Sequence, residues 1–416
     1  MPKPFYLTTT LPYVNAPLHM GHALEFIRAD AIARYRALIG DDVFFNTGTD
    51  EHGQKIYTKA LEIGKDPQQF VDDAFATFRK QVEAFGISGE AHFVRTTDAH
   101  HISAAQELWK RVADNGYIYK KAYQTKYCVG CESEKTDSDL VDGFCPLHPG
   151  VPLEHIDEEN YFFKFSALQE KLLAFYKDHP TFIIPEFRFN EMKAFVERGL
   201  EDFSISRVKE KMAWGIPVPG DESQVMYVWF DALTNYISTL GWPEDTATFT
   251  KYWGEGAPTQ YCGKDNTRFQ GVMWQAMLMA ANLPNTAQVV VNGFITGEGG
   301  VRMSKTLGNV VDPLAIAQEY GTDALRLFLL KEVSSFEDSP FTIERFRESY
   351  NANLANGLGN LASRILTLSE KYLEGCPSIP EQSIPQKFFD FLDAFDIQGA
   401  SEYVWAQIKD LDKYIQ

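Results

Sequence analysis

The chain has 416 residues, 44% of them hydrophobic, 14% aromatic and 23% charged. That is the balance of a soluble globular enzyme of roughly two to four domains, and it excludes a disordered, collagenous or disulfide-framework chain. With 39 basic against 57 acidic residues the net charge is −18, so no whole-molecule basic footprint for nucleic acid exists and any RNA contact must be local.

No apolar run reaches the roughly 18 residues of a membrane span, since Val272 to Leu283 is interrupted by Gln275 and Asn282. Met1 to Val14 lacks the basic-then-apolar order of a secretory signal, and a cytoplasmic location is expected. Phe5 to Thr9 reads as a strand, Leu11-Pro12-Tyr13-Val14-Asn15 as a turn, and Leu24, Ile27, Ala31, Tyr35 and Leu38 recur at helical spacing until Gly40. Val43 to Thr47 returns as a strand, which completes a βαβ unit with a ligand crevice at the carboxyl ends of parallel strands. Helices are expected from about Asp66 to Phe85 and from Asp98 to Asn115, then a loop-rich stretch from Gly116 to His155. Further helices follow near Ser166 to Lys177 and Asn190 to Gly199. A second strand and helix series runs from Val225 to Phe230 through Gln260 to Gly263 to Val289 to Phe294. Beyond Asp312 the pattern is helical, with one Pro-rich break at Cys376 to Gln386. The expected fold is α/β, a Rossmann-like parallel sheet split by an insertion and followed by an α-helical bundle.

His19-Met20-Gly21-His22 opens the first helix directly after the first strand, where backbone N–H groups and two imidazoles suit a phosphate. Arg302-Met303-Ser304-Lys305-Thr306 follows the glycine-rich Gly297 to Gly300 as a basic loop after the last strand. No GxGxxG follows Phe5 to Thr9, and Gly263-Lys264-Asp265 lacks the Ser or Thr of a P-loop. Of the five cysteines, three lie close together: Cys128-x2-Cys131, then thirteen residues, then Cys145-x2-His148. That ligand set suits one tetrahedral structural Zn2+.

Together these segments resemble class I aminoacyl-tRNA synthetases, specifically the methionyl-tRNA synthetase family, over nearly the whole chain. His19 to His22 matches the HIGH signature and Arg302 to Thr306 the KMSKS signature. Leu11 to Asn15, Thr47 to Gly53 (TGTDEHG), Tyr227 to Ala232 (YVWFDA) and Arg302 to Asp312 (RMSKTLGNVVD) match further family segments. The resemblance implies an aminoacyl-tRNA ligase that joins L-methionine to tRNA(Met) through methionyl adenylate, with ATP and Mg2+, as a monomer without membrane association. It places His19, Gly21, His22, Asp265, Gly293, Arg302, Ser304 and Lys305 at ATP, with His19, His22 and Lys305 catalytic. It places Leu11, Tyr13, Asp50, Trp229, Ala232, Leu233, Tyr236, Gln270 and Trp274 at methionine, Asp50 holding the ammonium. Arg302 stands where lysine is more usual. Asn266, Gln270 and Met273 stand where many relatives carry Ile, His and Phe, which supports one alternative, a paralogue for another amino acid; a second alternative, from another class, is a catalytically silent zinc-containing RNA-binding module.

The implied division is 1–116 and 222–300 for the two halves of the catalytic domain and 117–221 for a connective domain with the zinc knuckle. Residues 301–342 form the KMSKS loop and stem-contact region, and 343–416 a partial anticodon-binding bundle in which Asn360 and Arg364 read bases. In the family a Pro-Trp segment follows the helix matching Glu402 to Gln416, so a C-terminally truncated chain is expected, with reduced tRNA charging and with Phe389, Leu392, Phe395 and Trp405 exposed.

Overall fold

The computed structural model describes the whole chain except residues 1, 132, 302, 304–310, 376, 379–382 and 416 and the side chains of 123, 125, 133, 134, 138 and 156. Six parallel strands form the central sheet. Numbering all strands along the chain, these are β1 (Pro4–Thr8), β2 (Asp42–Thr49), β3 (His92–Arg95), β7 (Ile183–Ile184), β12 (Thr259–Gly263) and β13 (Gln288–Asn292), in the order β3-β2-β1-β12-β13-β7. Alternate residues face opposite sides. Tyr6, Phe44, Val289 and Val291 enter one core, and Phe5, Leu7, Phe45 and Val290 enter the other. Apolar residues on both faces are the mark of a sheet covered by helices on both sides.

Helix α1 (Met20–Leu38) crosses from β1 to β2 with most of its length buried, and Gly40 ends it in a positive-φ turn. The helices α2 (Gln54–Glu62), α3 (Pro67–Ala84) and α4 (Ala99–Asp114) follow. Asp66 caps α3, its side chain accepting from the Gln68 and Gln69 N–H groups ahead of Pro67 at the first turn.

The stretch expected to be loop-rich between Gly116 and His155 is instead framed by a long antiparallel ribbon. Strand β4 (Ile118–Cys128) pairs with β6 (Glu154–Phe163) from Ile118 opposite Phe163 to Tyr127 opposite Glu154. Strands β5 (Ser133–Lys135) and β8 (Phe203–Ser204) complete a four-stranded sheet. Much of the described ribbon is solvated, Lys120, Lys121, Ala122 and Gln124 all being exposed, so its sequence lacks the apolar alternation that marks a half-buried strand. The expected strand over Val225 to Phe230 is also corrected. Strand β11 (Asp221–Met226) pairs antiparallel with β9 (Ser206–Val208) and β10 (Pro217–Val218) outside the central sheet. Helix then begins at Val228. Within the same segment α5 (Gln169–Asp178) and α6 (Glu186–Glu197) flank β7, which joins the central sheet beside β13.

Beyond Asp312 the described residues are mainly helical, apart from those between Tyr372 and Gln386, where the Pro-rich break is expected, and an irregular turn at residues 333–342. There β15 (Ser339–Pro340) pairs with β14 (Ile295–Thr296). Arg28 of α1 holds this turn: Nη1 donates to Asn292 Oδ1 and Ser335 O, both at 3.0 Å, and Nη2 to Val333 O at 2.9 Å and Ser334 O at 2.7 Å. The expected exposure of the C-terminal apolar positions is corrected too. Leu392 and Phe395 are buried, Phe389 stacks on Tyr35 of α1 with centroids 6.0 Å apart, and Trp405 is half-buried. Phe389 and Phe395 have α1 and β12 as partners, Phe395 meeting Tyr261 with centroids 6.0 Å apart, which the sequence pattern alone did not supply. The large apolar side chains that are exposed include Leu366, Leu368 and Tyr372, on the helix Asn360–Tyr372.

Burial draws the Arg28 guanidinium down to about 10, still charged at neutral pH, and its loss would strand three carbonyls. Arg28→Ala should therefore cost about 3 kcal/mol or more of stability. Urea unfolding tests this, and a loss under about 1 kcal/mol would contradict the clamp.

Candidate active site

Strands β1 and β12 are neighbours in space, Leu7 lying opposite Thr259 and Thr8 opposite Gln260, although a long stretch of chain separates them. Chain order reverses between them, so the segments leaving their carboxyl ends diverge and open a crevice. A cavity of about 800 Å³ occupies it.

One end is built from α1 and the loops after β12 and β13. His19 and His22 stack at 3.8 Å. His19 Nδ1 accepts from Gly21 N at 3.1 Å and His22 Nδ1 from His19 N at 3.2 Å. Two of the N–H groups expected to face an anion are thus engaged by the imidazoles themselves. Burial and the neighbouring His19 hold His22 well below its ordinary range, so at neutral pH it offers a hydrogen bond and no charge. Asp265 and Gly293 line the same end. A Cβ at Gly293 would fall 2.2 Å from the Glu337 carbonyl carbon, so only glycine permits the 333–342 turn to close against this wall. Asp338 of that turn pairs with Lys264 at 2.6 Å and accepts from Phe294 N at 2.9 Å.

The other end is built from residues 11–14, the end of β2, and the short helices α7 (Val228–Ala232) and α8 (Asn235–Ser238). Val14 N donates to Asp50 O at 3.2 Å and Asp50 N to Pro12 O at 3.0 Å. This lacing sets Tyr13 beside Asp50, whose side chain is mostly buried. Leu11, Tyr13, Asp50, Trp229, Ala232, Leu233, Tyr236 and Gln270 all line this cavity, and Trp229 stacks on Phe269 at 3.7 Å. Gln270, on a π-helical turn over Phe269–Met273, donates from Nε2 to Thr10 Oγ1 at 2.8 Å. Trp229 Nε1 and Gln270 Oε1 are buried and without partners among the described residues, so this end offers one unused donor and one unused acceptor to a polar ligand.

Trp274 does not line the cavity: fully buried, it packs edge-on behind Tyr236 with centroids 5.8 Å apart. Arg302, Ser304 and Lys305 lie outside the described residues, although Gly300, Met303 and Val311 beside them line the cavity.

Glu25, Phe269, Asn292 and Asp338 also line it and were not anticipated. Glu25 carried a legible signal, a single acid within the apolar run Ala23 to Ile27; Asp338 carried none. Thr10 N donates to Glu25 Oε1 at 2.6 Å.

Cys128, Cys131, Cys145 and His148 bring their ligand atoms within 4.8 Å of one another. Cys131 Sγ lies 3.4 Å from Cys145 Sγ and 3.3 Å from His148 Nδ1, and Cys128 Sγ lies 3.7 Å from the same nitrogen. Such spacings suit four donors around one tetrahedral ion with bonds of about 2.0 to 2.3 Å. A Cβ at Gly130 would meet the His148 ring at 2.4 Å, so the Cys-x2-Cys turn closes only over glycine. Cys131 reaches the cavity wall, and Lys55 of α2 donates to Gly130 O. Asn360 and Arg364 lie far along the chain on an exposed helix, where Arg364 Nη1 pairs with Asp412 Oδ1 at 2.7 Å.

Burial, reinforced by Asp265, pushes the Glu25 carboxyl from 4.5 up to about 8. Between these values the folded state holds a proton that the unfolded chain has released, so this group's contribution to stability is fully present below pH 4.5 and is lost as pH rises through 8. Glu25→Gln removes the titration. Urea midpoints should show the variant gaining on the parent from about pH 5 to about pH 8.5, and a difference independent of pH would contradict the assignment.

The profile of the family described as tRNA synthetases class I (M) matches residues 5–150 and 151–366. The methionine–tRNA ligase of Caldanaerobacter subterraneus is 44% identical over 429 residues, covering 100% of this chain and 66% of the relative. That of Thermotoga maritima is 39% identical over 427 residues, covering 99% and 67%. This chain thus spans about two thirds of the length of these curated relatives. Mycobacterium tuberculosis methionyl-tRNA synthetase in complex with methionyl-adenylate matches with a TM-score of 0.92 at 40% identity, over 99% of this chain and 83% of that one. Its apo form matches with a TM-score of 0.83 at 37% identity, over 100% and 81%. The family profile accounts for most of the chain, and the parallel sheet, the crevice and the HIGH segment lie within the matched residues: the chain belongs to the class I (M) tRNA synthetases.

Proposed function

We propose that the chain is a methionine–tRNA ligase, which activates L-methionine with ATP and transfers it to the 3′ end of tRNA(Met) in the cytoplasm. The observation that carries this reading is the single cavity with two chemically distinct ends. One end has imidazoles at a helix start and a close-packed glycine wall, suited to a nucleotide. The other has a mostly buried carboxylate among aromatic and aliphatic walls, suited to an ammonium beside an apolar side chain.

At the first end His19 and His22 hydrogen-bond the phosphates, Asp265 takes the ribose and adenine lies against Gly293. At the second, Asp50 holds the ammonium, Trp229 Nε1 donates to the carboxylate, and Leu11, Tyr13, Ala232, Leu233 and Tyr236 enclose the thioether, a soft group that aromatic rings favour. Trp274 supports Tyr236 from behind. The methionine carboxylate oxygen attacks the α-phosphorus, the bond to the bridging oxygen of the β-phosphate breaks, and pyrophosphate leaves. Such chemistry depends on positioning and charge stabilisation. Arg302 and Lys305 supply cationic charge, with Ser304 hydrogen-bonding beside them. Mg2+ bound with ATP would neutralise phosphate charge.

The division into 1–116, 117–221, 222–300, 301–342 and 343–416 follows from the same reading. Asn360 and Arg364 would read anticodon bases, Arg364 after release from Asp412.

Pyrophosphate exchange across a panel of amino acids should show methionine as the preferred substrate. Lys305→Ala should lower turnover by a factor of about 10² to 10³, and Asp50→Ala should raise the methionine KM. Exchange driven by another amino acid, or equal slight effects of both variants, would contradict the proposal. The thiol and imidazole cluster fits Zn2+ as a closed structural site, so metal analysis should find about one zinc per chain, and chelation should loosen the 118–163 ribbon, read as faster amide exchange. Zinc-free protein with an unchanged ribbon would contradict that role.

A further inference from the structure

Behind the amino-acid end, outside the cavity lining, lies a buried polar chain that the proposed chemistry does not use. Asp231 Oδ2 is 2.7 Å from His52 Nδ1, and Asp231 Oδ1 is 2.8 Å from His101 Nε2. His101 Nδ1 is 2.9 Å from Ser238 Oγ. All four residues are almost fully buried. Burial alone would raise the Asp231 carboxyl, but the charge on His52 and the hydrogen bonds from both rings outweigh it and hold the group below its usual range. The carboxylate accepts from both rings, which fixes where each ring presents an N–H. His52 presents an N–H at Nδ1 and His101 one at Nε2, and His101 Nδ1 meets the Ser238 hydroxyl, which also lies 3.4 Å from Asn235 O.

Three of the four stand within two positions of a residue of the cavity wall. His52 follows Asp50 by two positions, Asp231 lies between Trp229 and Ala232, and Ser238 follows Tyr236 by two. His101 sits in the first turn of α4, away from the cavity. On its other side His52 packs against Trp214 with centroids 5.5 Å apart, and Trp214 Nε1 donates to Glu51 O at 2.6 Å. The three wall segments thus reach one another through a single carboxylate, and α4 anchors that carboxylate from behind.

We infer that Asp231, held by His52 and His101, is a positioning residue for the amino-acid end of the site, setting Asp50 against Trp229 and Tyr236, while the nucleotide end is set separately by α1 and the 333–342 turn. This inference rests on the reading that an amino acid binds beside Asp50. His101 provides the clean test because it does not line the cavity.

In pyrophosphate exchange with the full chain, His101→Leu should raise the methionine KM about tenfold or more while the ATP KM changes less than about twofold. His101→Gln, which can keep an N–H aimed at Asp231, should return the methionine KM to within about threefold of the parent. A merely structural role would move both KM values together, or lower active protein with neither KM changed, and either result in a folded variant would overturn the inference. Should His101→Leu fail to fold, Ser238→Ala removes only the hydroxyl that meets His101 Nδ1. It should raise the methionine KM selectively, by about threefold, and an unselective or absent change there would equally overturn the inference. A parent chain without methionine-dependent exchange would instead overturn the underlying reading, and this inference with it.

Discussion

The structure depends on the pairing of β1 with β12, two strands brought together from opposite halves of the chain with only Leu7 and Thr8 in register with Thr259 and Gln260. Strands β2 and β3 extend the sheet on one side of this seam and β13 and β7 on the other. The crevice above the seam receives α1 with His19 and His22, the loop with Asp265, and residues 11–14 laced to Asp50. Because neither half closes the crevice alone, the site exists only once the long-range pair has formed. The loop-closure entropy of so distant a contact is offset by burial on both faces of the sheet.

A second constraint fixes the depth of the nucleotide end. The 333–342 turn presses against Gly293 so closely that a single methyl group would collide with the main chain. Arg28 holds it there by satisfying three consecutive carbonyls while also gripping Asn292 beside Gly293. Ser335 of the same turn donates to Asp396 Oδ1 at 2.8 Å, between two C-terminal helices. The helical end of the chain is therefore packed directly onto the wall of the catalytic crevice, and Phe389, Leu392 and Phe395 are covered by this contact where the sequence pattern suggested open surface.

What was legible in the sequence follows from how local each constraint is. His19 to His22 was legible from residue type at a helix start, while Asp50, Trp229 and Tyr236 came from the family resemblance of their compact segments, and the fold brings all of them to one cavity. The cysteine and histidine ligands were legible because metal geometry writes itself into short spacings. Trp274, placed at methionine by the resemblance, stands behind Tyr236 outside the cavity lining, because a family match carries residue identity and not whether a side chain meets a ligand or backs one that does. The β4 and β6 ribbon was missed because strands largely wet on both faces carry little apolar alternation. Asp338 and the His52, Asp231 and His101 chain depend on contacts between segments far apart in sequence, which no local pattern encodes.

The central claim is that one cavity binds an amino acid and a nucleotide side by side. Calorimetric titration with the sulfamoyl analogue of methionyl adenylate, which joins both parts, tests it most directly. The account predicts one site per chain, an affinity at least about a hundredfold tighter than that of methionine alone, and displacement of the analogue by ATP as well as by methionine. An analogue that binds no tighter than methionine, or that only one of the two ligands displaces, would contradict it.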